Sequence, residues 1–204
     1  MTELTVLQAV RLKGRIGPAE LTATLNEDTD EVIATIERLT ASGFLIDGAV
    51  LRISPSGRAR LDALLAEERA GFDPVAMMAF YNDFRSVNAD FKELVTDWQL
   101  KGGPRGSPNT HDDAAYDAAV LGRLDAVHRR VIPIITAAAA QLPRLDAYSS
   151  KLCAALDKIA AGDTAWLTKP LVDSYHTVWF ELHEELIIAV GLTRHDAAIS
   201  GDAQ

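Results

Sequence analysis

Residues 16–61 read IGPAELTATLNEDTDEVIATIERLTASGFLIDGAVLRISPSGRARL. Gly17-Pro18 predicts a helix start, because a first-turn proline gives up an N–H that has no intrahelical partner there. Leu21 and Leu25 form its inner face, and Asn26-Glu27-Asp28 make the turn that follows. Thr29 or Asp30 caps the next helix, in which Val32, Ile33, Ile36 and Leu39 recur at helical spacing. Gly43 ends it at a left-handed position past the last turn. Phe44-Leu45-Ile46, the Asp47-Gly48 turn and Val50-Leu51-Arg52-Ile53 then predict a hairpin. Ser54 or Ser56 caps a further helix carrying Ala59, Leu61, Leu64 and Leu65. Upstream, Leu4, Leu7, Val10 and Leu12 mark a short amphipathic helix.

Helix, helix-turn-helix, hairpin, helix is the layout of a winged helix-turn-helix, a module that sets its second motif helix into the DNA major groove. Double-stranded DNA is therefore the expected partner. The candidate contacts are Arg15, Thr29, Thr35, Arg38, Arg52, Arg58 and Arg60, with Arg11 and Lys13 nearby. The charge opposes this expectation. The outward positions of the recognition helix include Asp30, Glu31 and Glu37 beside a lone Arg38, whereas base readers favour Arg, Lys, Asn and Gln. Residues 1–71 hold 8 basic against 11 acidic side chains, and the whole chain has a formal net charge of −9, so DNA binding requires a local cationic patch. The alternative is an accessory protein that uses the same module for protein contacts.

The series IERLTASGFLI, a turn, and LRISPSGRARL resembles MarR-type winged-helix regulators over about the first third of the chain. There a hydrophobic helix runs into Gly-(Leu/Phe)-(Leu/Ile), and the wing strand runs into Ser/Thr-Pro-x-Gly-Arg. The resemblance implies a DNA-binding transcriptional regulator that acts as a homodimer.

Gly71-Phe72-Asp73-Pro74 marks a change of texture, so the winged-helix domain is expected over residues 1–71 and a helical ligand-binding or dimerisation domain over 72–204. From Pro74 to Leu100, Phe80, Phe84, Val87, Phe91, Leu94 and Trp98 recur at the spacing of a bundle seam. Lys101–Thr110 reads as a loop, after which Asn109 or Thr110 caps a helix with Val120, Leu124, Val127 and Val131 inside, kinked at Pro133. Pro143 precedes a helix with Leu145, Tyr148, Leu152, Leu156 and Ile159. A last helix from about Pro170 carries Leu171, Tyr175, Val178, Leu182 and Leu186, ends at Gly191, and leaves a tail that frays from Asp196. The fold class is mainly α: a winged helix-turn-helix followed by a helical bundle.

Polar side chains lie beside these seams. Tyr81, Arg85, Asn88 and Lys92 form a second stripe on the first bundle helix, either as an edge making interhelical salt bridges or as a pocket wall. As a wall, Arg85 and Lys92 would favour a small anionic metabolite. His176 and His183 share a face with Trp179, while His111 and Tyr116 lie in an acidic stretch that suits a helix N-terminus. With Trp98, these residues complete the candidate ligand set. The two last-helix histidines stand two turns apart, ~10.5 Å, which is poor metal-ligand spacing, so no metal and no cofactor are expected. The segments NADFKELVTDWQL, NTHDDAAYDAAVLGRL and DSYHTVWFELHEELIIAVGL resemble a bacterial helical domain of regulators and of proteins related to phosphoenolpyruvate-utilising enzymes. That resemblance carries no established activity or ligand.

The single cysteine, Cys153, excludes a disulfide framework and a Cys-based zinc site, and its apolar neighbours predict a buried thiol. His128, beside Arg129-Arg130, reads as surface. No stretch approaches the ~18 apolar residues of a membrane span and no signal peptide is visible, so a cytoplasmic protein is expected. P-loop, Gly-x-Ser-x-Gly and His-Glu-x-x-His patterns are absent, and no enzyme is expected.

Overall fold

The computed structural model describes residues 2–192. It is mainly helical with two small two-stranded sheets. The chain divides into two compact units, Met1–Gly71 and Phe72–Gln204. Among the described residues, no helix is long and apolar enough to cross a membrane. The fraying expected from Asp196 falls outside the described residues.

In the first unit, α1 (Glu3–Lys13), α2 (Pro18–Leu25) and α3 (Thr29–Ala41) precede β1 (Leu45–Ile46), β2 (Arg52–Ile53) and α4 (Pro55–Arg69). Val6, Leu7, Val10, Leu21, Val32, Ile36, Leu39, Leu51, Leu61 and Leu65 are buried and form the core. The turn between α2 and α3 works through Asn26, which takes φ 52° at the end of α2, a conformation asparagine tolerates. The α3 cap is Asp28, one residue before the expected pair; its carboxylate accepts from the Glu31 N–H at 3.1 Å. Ile33, expected inside, is 43% exposed because it falls beside the inner stripe set by Val32, Ile36 and Leu39.

β1 and β2 pair antiparallel with Leu45 opposite Ile53, and Ile16 adds an antiparallel bridge to Leu51. Ser54 caps α4, accepting from the Gly57 N–H at 3.0 Å, and donates to the Gly43 carbonyl at 2.6 Å. Ser56 donates to the same carbonyl at 2.9 Å. Gly57 is needed here because a Cβ would lie 2.0 Å from the Phe44 carbonyl oxygen. Gly57→Ala must push α4 off the hairpin. We expect a loss of about 1–3 kcal/mol, read by urea denaturation.

In the second unit, α5 (Pro74–Gln99) packs on α6 (Ala114–Ala139), α6 on α7 (Asp146–Ala160), α7 on α8 (Tyr175–Ala189), and α8 back on α5. Four helices thus close around Phe84, Phe91, Leu94, Leu124, Val131, Leu152, Val178 and Trp179. The α5–α6 edge carries the ion pairs Asp97–Arg123, 2.6 Å, and Asp90–Arg130. Between α5 and α6 the expected loop contains a short hairpin, β3 (Leu100–Lys101) with β4 (Ser107–Pro108). Asp113, not Asn109 or Thr110, caps α6. The last helix starts at Tyr175 under a Ser174 cap, so Leu171 lies before it, 98% exposed at φ 63°. Cys153 is exposed rather than buried, since it falls outside the Leu152–Ala155–Ile159 stripe that α7 turns inward.

Candidate functional site

Two of the first unit's cations, Arg15 and Arg52, lie at the edge of the hairpin. Ile16 and Leu51 exchange two backbone hydrogen bonds, N–H to O at 3.4 and 2.8 Å, and both side chains are buried. Arg15 and Arg52, their immediate neighbours, are exposed beside that bridge. Arg38 and Arg58 are exposed on α3 and α4, and Thr29 is exposed at the first residue of α3. Two of the expected DNA contacts are engaged within the unit itself. Thr35 is buried at 7% exposure, because three residues after Val32 and four before Leu39 put it on the inner stripe. Arg60 is held by Glu3 through paired hydrogen bonds of 3.1 and 3.0 Å that tie α4 to α1.

The ten candidate ligand residues of the second unit do not form one site. Tyr81, Arg85, Asn88 and Lys92 lie on the first three-quarters of α5, and Trp98 near its end; Asn88 to Trp98 spans about 15 Å along the helix. Around Trp98, the His111 ring lies at 4.4 Å between centroids, tilted by 40°, and its Nδ1 lies 3.0 Å from Asp117. Asn109 donates to the Trp98 carbonyl at 3.1 Å and to Asp117 at 2.9 Å. Tyr116 donates to the Asp97 carbonyl at 2.9 Å. Asn109 and Tyr116 tie this segment to the end of α5, Asn109 and His111 tie it to Asp117 on α6, and Asp112 meets Lys101 at 3.1 Å. This end is a structural clasp.

The other group is a buried polar cluster between α5, α7 and α8. Tyr81 and Asn88 are 2% exposed, not on a bundle edge, and Arg85 and Lys92 are half-buried. The Trp179 indole donates to the Asn88 side-chain oxygen at 2.8 Å. His183 is buried against Phe84 at 5.4 Å and Tyr81 at 6.2 Å, while the half-buried His176 lies 6.1 Å from Phe91. The sequence reading missed the strongest charges. Glu181, Glu184 and Glu185 are all buried on α8. Arg144 meets Glu185 at 2.5 Å, and Tyr148 donates to Glu185 at 3.3 Å. Burial, then the Glu185 and Glu181 charges, hold the Tyr148 hydroxyl well above the usual phenol range against the opposing pull of Arg144. It stays a donor. The signal was legible: glutamates at helical spacing inside the most apolar helix require buried partners. Chemically, Arg144 and Tyr148 form an ion and hydrogen-bond group on Glu185, and Asn88 and Trp179 a separate hydrogen bond between α5 and α8. Among the described residues, no group of three or more His, Cys, Asp or Glu is placed to hold a metal.

His128 also departs from its surface reading. It is half-buried, with Nδ1 3.1 Å from the buried Tyr175 hydroxyl and Nε2 3.6 Å from the Cys153 sulfur. Burial lowers its pKa below 6.5, against the charges of Asp125 and Asp157. The unfolded chain therefore binds this proton more readily than the folded one. The group's stabilising contribution is complete above about pH 6.5 and is lost as pH falls through the folded value. Melting temperatures across roughly pH 5 to 8 should fall on the acid side, and less so in His128→Gln; identical slopes would contradict the assignment.

No protein-family model, no curated protein and no solved structure matches this chain.

Proposed function

We propose that residues 2–71 act as a winged helix-turn-helix and that the protein is a DNA-binding transcriptional regulator, working as a homodimer on a two-fold site. The observation that carries the proposal is the Ile16–Leu51 bridge. It adds a single antiparallel bridge beside the two-stranded β1–β2 hairpin and brings two exposed arginines, Arg15 and Arg52, to its margin. Guanidinium groups so exposed suit phosphate oxygens, and Arg38 and Arg58 add to them. The wing edge, rather than α3, is then the main DNA contact. Recognition rests on backbone charge and shape more than on base edges, since α3 turns no exposed Lys, Asn or Gln outward.

The helical unit serves as the dimerisation or effector part of this regulator. Its buried cluster holds three carboxylates. A small anionic metabolite bound by this unit would pair with the half-buried Arg85 and Lys92 of α5.

The test is a titration of labelled duplex over a range of salt. Each phosphate contact contributes about −0.9 to the slope of log K against log salt, so Arg15→Ala/Arg52→Ala should flatten the slope by about 1.8. Absence of binding at low ionic strength, where counterion release helps most, would end the proposal.

A further inference from the structure

Helices α5 and α8 run antiparallel along their shared seam. Phe84 meets His183 at 5.4 Å between ring centroids, the Asn88 oxygen accepts from the Trp179 indole at 2.8 Å, and Phe91 meets His176 at 6.1 Å. One position on from these α5 residues, Arg85, Ala89 and Lys92 form a line at i, i+4, i+7. His176, Phe180 and His183 form the same i, i+4, i+7 line on α8. In an antiparallel pair, stepping one residue forward turns both helices toward the same side of the seam. The two lines therefore flank one side of it, with Arg85 level with His183, Ala89 with Phe180, and Lys92 with His176. Each end holds a cation and an imidazole, and the middle holds two apolar side chains. The ends stand two turns apart, ~10.5 Å. Ala89 is exposed and Arg85, Lys92, His176 and Phe180 are half-buried, so solvent reaches this side of the seam, while His183 is buried.

We infer that this side of the α5–α8 seam binds an elongated small molecule with an anionic group at each end and a methylene chain between, of which the α,ω-dicarboxylates are the simplest class. The inference rests on the effector role proposed for the helical unit and names its ligand class; it needs nothing from the wing edge. A guanidinium presents paired N–H donors to a carboxylate at one end, and a lysine ammonium serves the other. The imidazoles place a further ring N–H at each level. Ala89 and Phe180 suit methylene groups and give a polar midsection no partner. A monoanion meets one end only, so the second charge selects the ligand. Neighbouring carboxylates limit the attraction. Asp173, near the His176 end, is tied to Lys151 of α7 at 3.5 Å, whereas Glu184, buried next to His183, borders the other end and competes with the ligand there.

Isothermal titration calorimetry on the full-length protein at low ionic strength tests the inference, with succinate, suberate, sebacate, octanoate and inorganic phosphate as probes. Suberate and sebacate bracket the two-turn span when extended, and succinate is too short to reach both ends. Suberate or sebacate should bind with a single site per chain, roughly tenfold more tightly than octanoate or succinate. Arg85→Gln and Lys92→Gln should each reduce suberate to the affinity of octanoate. Ala89→Glu, at an exposed position, should abolish suberate binding, and Glu184→Gln should tighten it severalfold. Arg105→Ala, in the turn between β3 and β4, should leave it unchanged. Far-UV circular dichroism checks that each variant folds. Equal affinity for suberate and octanoate, or suberate binding indifferent to Lys92→Gln and Ala89→Glu, would overturn the inference. Phosphate bound through Arg85 with no preference for a long dicarboxylate would overturn it and leave the anionic effector role in place. Binding of none of these anions would end both, while the duplex titration decides the wing-edge proposal separately.

Discussion

Replacing Arg144 by alanine should lower the stability of the helical unit by about 3–5 kcal/mol, because it leaves Glu185 buried without its cation. The guanidinium lies 2.5 Å from Glu185, and the two side chains are 15% and 4% exposed. Glu181 and Glu184 are buried on the same helix and would repel the stranded charge further. Tyr148 alone cannot replace Arg144: it donates one hydrogen bond to the same carboxylate but carries no charge. The effect should appear as a fall of about 10 °C or more in melting temperature for a unit of this size. Removing both charges is a different experiment. Arg144→Met/Glu185→Leu should recover most of the loss, since a buried pair contributes little beyond an apolar substitute of similar volume. If the single and double variants are equally unstable, the cost comes from packing and not from charge.

Trp179→Ala is the second large effect, again about 3–5 kcal/mol, through a cavity at the centre of the aromatic cluster. Trp179 is 1% exposed, with Phe91 at 4.3 Å, Phe84 at 5.1 Å and Tyr175 at 6.1 Å between ring centroids. Neighbours fixed on the packed helices α5 and α8 cannot collapse fully into a space of that size. Trp179→Phe keeps most of the volume and isolates the indole hydrogen bond. That variant should cost about 1–3 kcal/mol, because the Asn88 oxygen loses a donor it meets at 2.8 Å. Asn88→Leu in the Trp179→Phe background should return part of it. Urea denaturation monitored by circular dichroism measures both variants.

Much of the architecture was legible in local chemistry. Pro18, the Asn26-Glu27-Asp28 turn, Gly43 and Ser54 punctuate the first unit where physics requires, and the Phe84–Phe91–Trp98 seam marks the inner side of α5. What failed did so for identifiable reasons. Thr35 carries a hydroxyl, yet its register puts it inside, where periodicity outweighs polarity. Arg60 looked like a phosphate contact because its partner, Glu3, is 57 residues away. The burial expected of Cys153 follows its neighbours' composition rather than helical phase, and Leu171 fits the phase of the last helix but precedes its Ser174 cap. The candidate ligand set merged Trp98, His111 and Tyr116 with the α8 histidines because sequence spacing says nothing of distance between helices. The burial of Glu181, Glu184 and Glu185 has a related cause: it depends on α5 and α7 packing against α8, which sequence spacing does not show.

The DNA proposal is most directly tested by amide chemical-shift mapping on the isotope-labelled full-length protein, titrated with a short duplex at low ionic strength. The wing-edge arrangement predicts the largest changes at Arg15, Ile16, Leu51 and Arg52, with those at Asp30, Ala34 and Glu37 small. No change anywhere, or changes confined to residues away from the Ile16–Leu51 bridge, would contradict it.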